Sequence, residues 1–246
     1  MLEIIDVSKI FQNAKGERIS AVDNLNLKVE RNELVCVVGT SGCGKTTTLR
    51  LVAGLDRPTE GKILVDGARI NGPTPERCVV FQKYTLFPWR TMLDNVAFGL
   101  EIRKVSKHER IAGSRKYLDL VGLREYERSY PFELSGGMQQ RVAVARALAA
   151  DPKILLMDEP FGALDSRTRE ALQNELTRIW ENERKTILFV THSISEAITL
   201  ADRVVVMKRP GRIGRIIAID LPRPRDKGCE RFREYNTLLR ALLDEC

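Results

Sequence analysis

Apolar residues in this chain gather into short runs of two kinds. Five runs are continuous and brief: Leu34–Val38, Cys78–Phe81, Ile154–Met157, Thr186–Val190 and Val204–Met207. Runs of this length, bounded by polar or turn residues, suit strands buried on both faces. Residues 2–7, 18–22, 25–30 and 62–66 mix polar and apolar positions and read as strands of a small antiparallel sheet. Asn13-Ala-Lys-Gly16 and Arg57-Pro-Thr-Glu-Gly61 mark turns between them, and Asp66-Gly67 closes a hairpin. Helical spacing appears elsewhere. Thr47–Ala53 predicts a helix stopped by Gly54. Residues 92–150 read as mainly helical, with Leu93, Val96, Ala97 and Leu100 on one stripe and Leu118, Val121 and Leu123 on another. Within them, residues 104–116 form a charged, solvated face that includes His108, to which no function is assigned. Val142–Ala150 continues as a strong helix, residues 166–182 as a charged amphipathic one, and residues 230–243 as a terminal helix. Residues 214–220 read as a strand, and Pro222-Arg-Pro-Arg225 breaks the chain. Buried strands alternating with helices predict an α/β fold with a mostly parallel sheet.

The most informative stretch follows the first buried run. Gly39-Thr40-Ser41-Gly42-Cys43-Gly44-Lys45-Thr46 satisfies G-x-x-x-x-G-K-[ST], the phosphate-binding P-loop, between a strand and a helix. Gly39, Gly42 and Gly44 allow backbone angles that let the loop turn its N–H groups inward. Those donors and the helix N-terminus suit a triphosphate. Lys45 supplies a point charge for the β- and γ-phosphates, and the Thr46 hydroxyl a ligand for Mg²⁺.

Other buried runs end in polar residues, where open α/β sheets bind ligands. Cys78–Phe81 ends at Gln82, whose amide oxygen reaches toward a metal or water. Ile154–Met157 ends at Asp158, placed for Mg²⁺, with Glu159 next to polarise an attacking water. Thr186–Val190 leads to Thr191 and His192, which sits where a γ-phosphate or attacking water is contacted. Three stretches leave alternatives. Phe11 is either core or a platform for a nucleotide base. Leu86-Phe-Pro-Trp-Arg90 is either core or an exposed patch for a partner. In Leu134-Ser-Gly-Gly-Met-Gln-Gln-Arg141, Ser135 is a plausible N-cap, so the stretch is either a turn before a helix or a second anion-binding helix N-terminus.

Composition narrows the setting. A hydrophobic share of 43% and a charged share of 30% describe a globular chain able to bury a core without staples. Cys36, Cys43, Cys78, Cys229 and Cys246 form no C-x-x-C pair, which argues against a disulfide framework and fits a reducing cytoplasm. Net charge is +7, which permits but does not require a polyanionic partner. The N-terminus shows no signal pattern and no run is long enough to span a bilayer.

Taken together, these stretches resemble the ATP-binding subunit of an ATP-binding cassette (ABC) transporter over about residues 2–220. The P-loop 39–46, Gln82, the signature 134–138, the strand 154–158 with Glu159, Ala163-Leu-Asp165 and His192 come in the family's order. The resemblance implies a P-loop core with an antiparallel β subdomain, about residues 1–85 and 153–220, an inserted helical subdomain, about 86–152, and a C-terminal helix, about 229–244. It implies a homodimer in which each ATP lies between the P-loop of one chain and Ser135-Gly136-Gly137 of the other. It places Phe11, Thr47 and Asp165 at the nucleotide, and Thr46, Gln82 and Asp158 at Mg²⁺. Lys45, Glu159 and His192 carry the hydrolysis. It makes Phe87-Pro-Trp89 part of a docking groove for integral-membrane permease subunits, which an extracytoplasmic solute-binding protein serves, and puts the chain on the cytoplasmic face of the cell membrane with no nucleic-acid partner. Met138 departs from the usual signature glutamine, and Phe11 stands where tyrosine is frequent.

A finer resemblance is to importers of nitrate, sulfonates, taurine and related small solutes. Leu86-Phe-Pro-Trp89, Met157–Asp165, Thr191–Ala197 and Arg209-Pro-Gly-Arg-Ile213 carry it. The alternative is a non-transport ABC ATPase acting on nucleic acid or ribosomes, which usually carries two cassettes or a coiled-coil insertion. A P-loop kinase has no use for the signature stretch.

Overall fold

The computed structural model describes residues 1–83, 85–183 and 185–245. Cys246, one of the five cysteines considered above, lies outside them. The strands are β1 (Leu2–Gln12), β2 (Arg18–Val29), β3 (Leu34–Gly39), β4 (Glu60–Val65), β5 (Ala68–Arg69), β6 (Arg77–Val80), β7 (Ile154–Asp158), β8 (Thr186–Val190), β9 (Arg203–Lys208) and β10 (Arg212–Ala218). The helices are α1 (Lys45–Ala53), α2 (Met92–Ile102), α3 (Lys107–Leu120), α4 (Gly136–Ala149), α5 (Ser166–Glu183), α6 (Ile194–Leu200) and α7 (Glu230–Asp244). The chain forms two compact units, one of Met1–Pro73 with the chain from Trp180 onward, the other Thr74–Ile179.

The first unit holds two sheets. In one, β1 pairs antiparallel with β2 and β4, and β4 with β5. In the other, β3 lies between β8 and β9, parallel to both, and β10 returns antiparallel along β9. Every residue of β3 is buried, which is why its sequence is apolar without alternation. Val37 is level with Val190, and Gly39 with Met207. The C-terminal ends of β3 and β8 therefore open on the same sheet edge.

Where two strands were expected at 18–22 and 25–30, one strand runs through. Asp6 and Asn24 take positive φ values of 50° and 48°, and the β1–β2 register shifts around them. Asn26 absorbs these irregularities. It receives a bond from the Asp6 N–H at 3.0 Å and donates to the Asp6 carboxylate at 3.0 Å. Asn and Asp tolerate this backbone region, so polar residues that looked like a break are bulges. The 66–67 hairpin forms as expected, with φ of 49° and 78° at Asp66 and Gly67.

The second unit pairs β6 and β7 in parallel, Val80 level with Met157, and packs α2, α3 and α4 on one another. Here α4 begins at Gly136, six residues before the expected Val142. The Ser135 hydroxyl accepts from the Met138 N–H at 3.3 Å and lets both glycines enter the first turn. Conversely α3 ends at Leu120, so Val121 and Leu123 are buried beyond the helix rather than on it.

Two C-terminal features of the first unit escaped the sequence pattern. The seven-residue α6 was not anticipated; Ser193 caps it, accepting from the Glu196 N–H at 3.3 Å. Strand β10 spans 212–218 rather than 214–220, because it pairs with β9 directly across the Arg209–Gly211 turn. The break at residues 222–225 is itself an anchor. The buried Arg225 guanidinium donates to the carbonyls of Ile198, Ala201 (2.6 Å), Leu221 (3.2 Å) and Ile219 (3.2 Å). Burial lowers its pKa to about 10, so it stays charged at neutral pH. Truncating Arg225 to Ala leaves these carbonyls without their donor. It is expected to lower unfolding free energy by about 3–5 kcal/mol, seen as a drop in the urea midpoint at unchanged slope.

Candidate nucleotide site

At the end of β3, the backbone closes tightly. A β-carbon added to Gly39 would lie 2.6 Å from the Met207 carbonyl, and one added to Gly44 would lie 2.3 Å from the Ala21 carbonyl. Gly44 also has φ of 93°. Only glycine fits there, and helix α1 starts immediately after it, with its first N–H groups at the loop. The helix opens at Lys45 rather than at the expected Thr47, so Lys45 belongs to its first turn. Lys45 is 8% exposed, and its ammonium donates to the carbonyls of Gly39 at 2.8 Å and Thr40 at 3.0 Å. Thr40, Ser41, Gly42 and Thr46 are exposed, Thr47 is half-buried, and Cys43 is buried beneath the loop. The result is a short cradle with a cation fixed inside it, which suits a polyanion.

His192 is exposed just past β8, on the same sheet edge as this loop. Its approach is fixed from below. The Thr191 N–H donates to the Val37 carbonyl at 3.1 Å, and the Thr191 hydroxyl donates to the buried Glu196 carboxylate. Phe11 is 40% exposed near the end of β1, with the Lys9 ammonium 4.9 Å from its ring centre, so it is not a core residue. An exposed, cation-flanked ring is available for stacking.

In the second unit, Gln82, Asp158 and Glu159 gather at the C-terminal ends of β6 and β7. Gln82 lies two residues past β6 and donates to the Glu159 carboxylate at 3.4 Å. Asp158 is buried at the last position of β7, while Glu159 is half-buried with φ of 46°. A glutamate in that backbone region is strained by about 1–3 kcal/mol, and such strain concentrates at functional sites. Gln82 and Asp158 bring together oxygen donors of the hard kind that Mg²⁺ takes, and that ion needs few protein ligands alongside substrate phosphates. No cluster of three or more His, Cys, Asp or Glu able to hold a metal alone occurs among the described residues.

Asp165 has a structural duty too. It accepts from the Thr168 N–H at 2.9 Å at the start of α5, and that bond, with the Thr168 hydroxyl, holds its carboxyl below the usual range. Ser135 is exposed, and Gly136 and Gly137 form the first turn of the fourteen-residue α4.

The sequence reading passed over Gln140. This side chain is 1% exposed and donates to the Pro160 carbonyl at 2.8 Å and the Phe81 carbonyl at 3.5 Å. It thus ties α4 to the segments carrying Gln82 and Glu159. The only sequence signal was an amide three and four residues before Ala143 and Val144, on the face that those apolar residues share.

The stretch 86–90 divides between its two readings. Phe87 packs edge-on against Phe98, with ring centres 4.6 Å apart, while Trp89 is 72% exposed. Buried Asn95 fixes the loop, receiving the Phe87 N–H at 2.9 Å and donating to the carbonyls of Phe87, Arg90 and Thr91 at 3.2, 3.1 and 3.0 Å. Beside it lies a cavity of about 260 Å³ lined by Cys78, Phe87, Phe98, Ile102, Arg146 and Ala150 among others. Cys36, Cys43, Cys78 and Cys229 are free thiols, and burial raises the pKa of Cys36 and Cys78.

Comparison with known proteins identifies the family. Residues 22–162 match the family model described as ABC transporter. The chain is 57% identical over 246 residues to an uncharacterised ABC transporter ATP-binding protein of Methanocaldococcus jannaschii, covering 99% of this chain and 92% of the relative. It is 51% identical to a nitrate import ATP-binding protein of Synechocystis, covering 90% and 83%. It is 45% identical to an aliphatic sulfonates import ATP-binding protein of Bacillus cereus, covering 95% and 92%. Among solved structures, an ATP-binding cassette captured as a dimer in a post-hydrolysis state with ADP and Pi superposes with a TM-score of 0.83 at 34% identity, covering 89% of this chain and 99% of that one.

Replacing Gln140 with Leu, of similar size, removes the donor and leaves two strand-end carbonyls unmatched. The variant is expected to be less stable by about 1–3 kcal/mol in urea unfolding, while Gln139→Leu, altering a less buried amide, costs less.

Proposed function

The chain belongs to the ABC transporter family, and on that premise we propose that it is the ATP-hydrolysing subunit of an importer for nitrate, a sulfonate, taurine or a related small solute. The observation that carries the ATPase reading is the cradle around Lys45: a buried ammonium at a helix N-terminus, closed by glycines that no other residue can replace. The importer reading draws on the names of the relatives, which include nitrate and aliphatic sulfonate import proteins.

In this reading ATP is the substrate. The loop N–H groups and Lys45 bind the β- and γ-phosphates, and Lys45 holds the charge that develops on them. Gly39, Thr40, Ser41, Gly42, Cys43, Gly44 and Thr47 complete the loop and its helix, and Phe11 stacks on the base. Mg²⁺ supplies neutralisation of phosphate charge when bound, with Thr46, Gln82 and Asp158 as its protein ligands. Glu159 accepts a proton from the attacking water, and Gln82, already bonded to it, orients that carboxylate. His192 steadies the γ-phosphate. The exposed Ser135, with Gly136 and Gly137 in the first turn of α4, and Asp165 serve the nucleotide of a second copy, so that the chain works as a homodimer. Residues 86–152 form the helical lobe that faces the membrane partner.

The exposed Trp89 and the apolar cavity beside Phe87 receive the permease, integral-membrane subunits fed by an extracytoplasmic solute-binding protein. No helix among the described residues is long and apolar enough to cross a membrane, which fits a peripheral subunit at the cytoplasmic face. We assign no nucleic-acid partner.

Two outcomes test this. Glu159→Gln is expected to bind ATP and lose turnover by about 10²–10⁴-fold while accumulating as a dimer in size-exclusion chromatography with ATP; rapid turnover in that variant removes Glu159 as the catalytic carboxylate. Trp89→Ala is expected to keep the ATPase rate of the purified chain but fall away from washed membranes. An unfolded variant, or one retained on membranes like the unaltered chain, contradicts the docking role.

A further inference from the structure

The turn Arg209-Pro-Gly-Arg212 between β9 and β10 has no role at the nucleotide in the reading above, yet it is built against the phosphate loop. Three backbones meet there. A β-carbon on Gly44 would lie 3.2 Å from the Gly211 Cα, and one on Gly211 would lie 2.3 Å from the Ala21 carbonyl. Gly211 has φ of 70°, so this position admits no other residue without strain. The turn is fastened on its far side as well. Arg212 pairs with Asp23 at 2.5 Å, and the Asp23 N–H donates to the Gly211 carbonyl at 3.4 Å. From this fixed base the Arg209 guanidinium reaches the loop and donates to the Ser41 carbonyl. Gly42 lies so near that a β-carbon on it would come within 3.0 Å of the guanidinium.

That single bond has a directional consequence. In a trans peptide the carbonyl of one residue and the N–H of the next point opposite ways. Holding the Ser41 carbonyl outward therefore turns the Gly42 N–H toward the inside of the loop. Gly42, with φ of 76°, has the freedom to let this peptide flip, so an external anchor matters most here. A donor oriented beforehand costs no reorganisation when an anion arrives.

We propose that Arg209 is a positioning residue for nucleotide binding: it locks the Ser41–Gly42 peptide so that the Gly42 N–H faces the phosphates. The assignment rests on the nucleotide reading of the Lys45 cradle. It makes the β9–β10 turn a setting element for nucleotide affinity. A loop donor contacts ground state and transition state alike, so its loss acts on KM more than on kcat.

The test uses the full chain and a fluorescent ADP analogue, with ATPase kinetics and melting temperature alongside. Four proteins are compared: unaltered, Arg209→Met, Arg209→Lys and Lys45→Ala. Arg209→Met keeps the length without the donor. It is expected to weaken binding about five- to tenfold, in line with one charge-assisted hydrogen bond, and to raise KM by the same factor while kcat falls less than about twofold. Its melting temperature without nucleotide stays near that of the unaltered chain. Arg209→Lys, which can still cap the carbonyl, recovers most of the affinity. Equal affinity in the unaltered chain and Arg209→Met overturns the proposal. So does an affinity loss that Lys does not rescue and that tracks a fall in melting temperature, which would make Arg209 a stabiliser of the fold. If the unaltered chain binds no more tightly than Lys45→Ala, the nucleotide reading itself fails and this inference with it.

Discussion

One buried ammonium constrains the first unit. Lys45 must sit at the start of a helix, at the end of a fully buried strand, with its charge satisfied by carbonyls of its own loop. An unpaired charge at such a place is costly, and the loop meets that cost by turning two of its carbonyls inward. The turn requires glycines, because the neighbouring backbones of Ala21 and Met207 leave no room for a β-carbon. β3 then has to be central, since only a strand flanked on both sides holds the loop against β9 while presenting β8 and His192 at the same edge. The small antiparallel sheet contributes more than bulk, as β2 supplies both the Ala21 contact and the Asp23 anchor for the Arg209–Arg212 turn.

The second unit meets a different constraint. Its carboxylates emerge from a parallel strand pair, and their loops are held by side-chain amides rather than by a lysine. Gln82 bonds to Glu159, and Gln140 reaches from inside α4 to both strand-end segments. A hydrogen bond from Thr168 fixes Asp165 while lowering its pKa. On the proposed reading, residues that would meet nucleotide are thus also structural caps, so that mutating them mixes stability with activity. Paired measurements of binding and melting separate the two.

Much of this was legible in the sequence, for physical reasons. The buried strands announced themselves because double-sided burial forbids alternation, and β3, β7 and β8 fall within one residue of their expected limits. The phosphate loop and the strand-end residues Asp158, Glu159 and His192 followed from position along those runs. What stayed hidden depended on contacts between distant residues. The bulges at Asp6 and Asn24 look like turns until Asn26 is seen bridging the strands. The early start of α4 needed the Ser135 cap to outweigh two glycines with poor helix propensity. Gln140, Arg209 and Arg225 gave no periodic signal, because each acts by reaching a carbonyl far away in the chain, or on another element. The stretch at 86–90 was ambiguous because it does both things: Phe87 packs inward and Trp89 faces out.

The central claim is that this ATPase drives a membrane permease. The most direct measurement is to tag the chain at natural abundance, solubilise membranes gently, and identify what co-purifies in stoichiometric amount. The account predicts a multi-spanning membrane protein, with ATP hydrolysis by the purified complex stimulated by one of the candidate small anions. Recovery of ribosomes or nucleic acid with no membrane protein would contradict the transport role and leave an ATPase with another task.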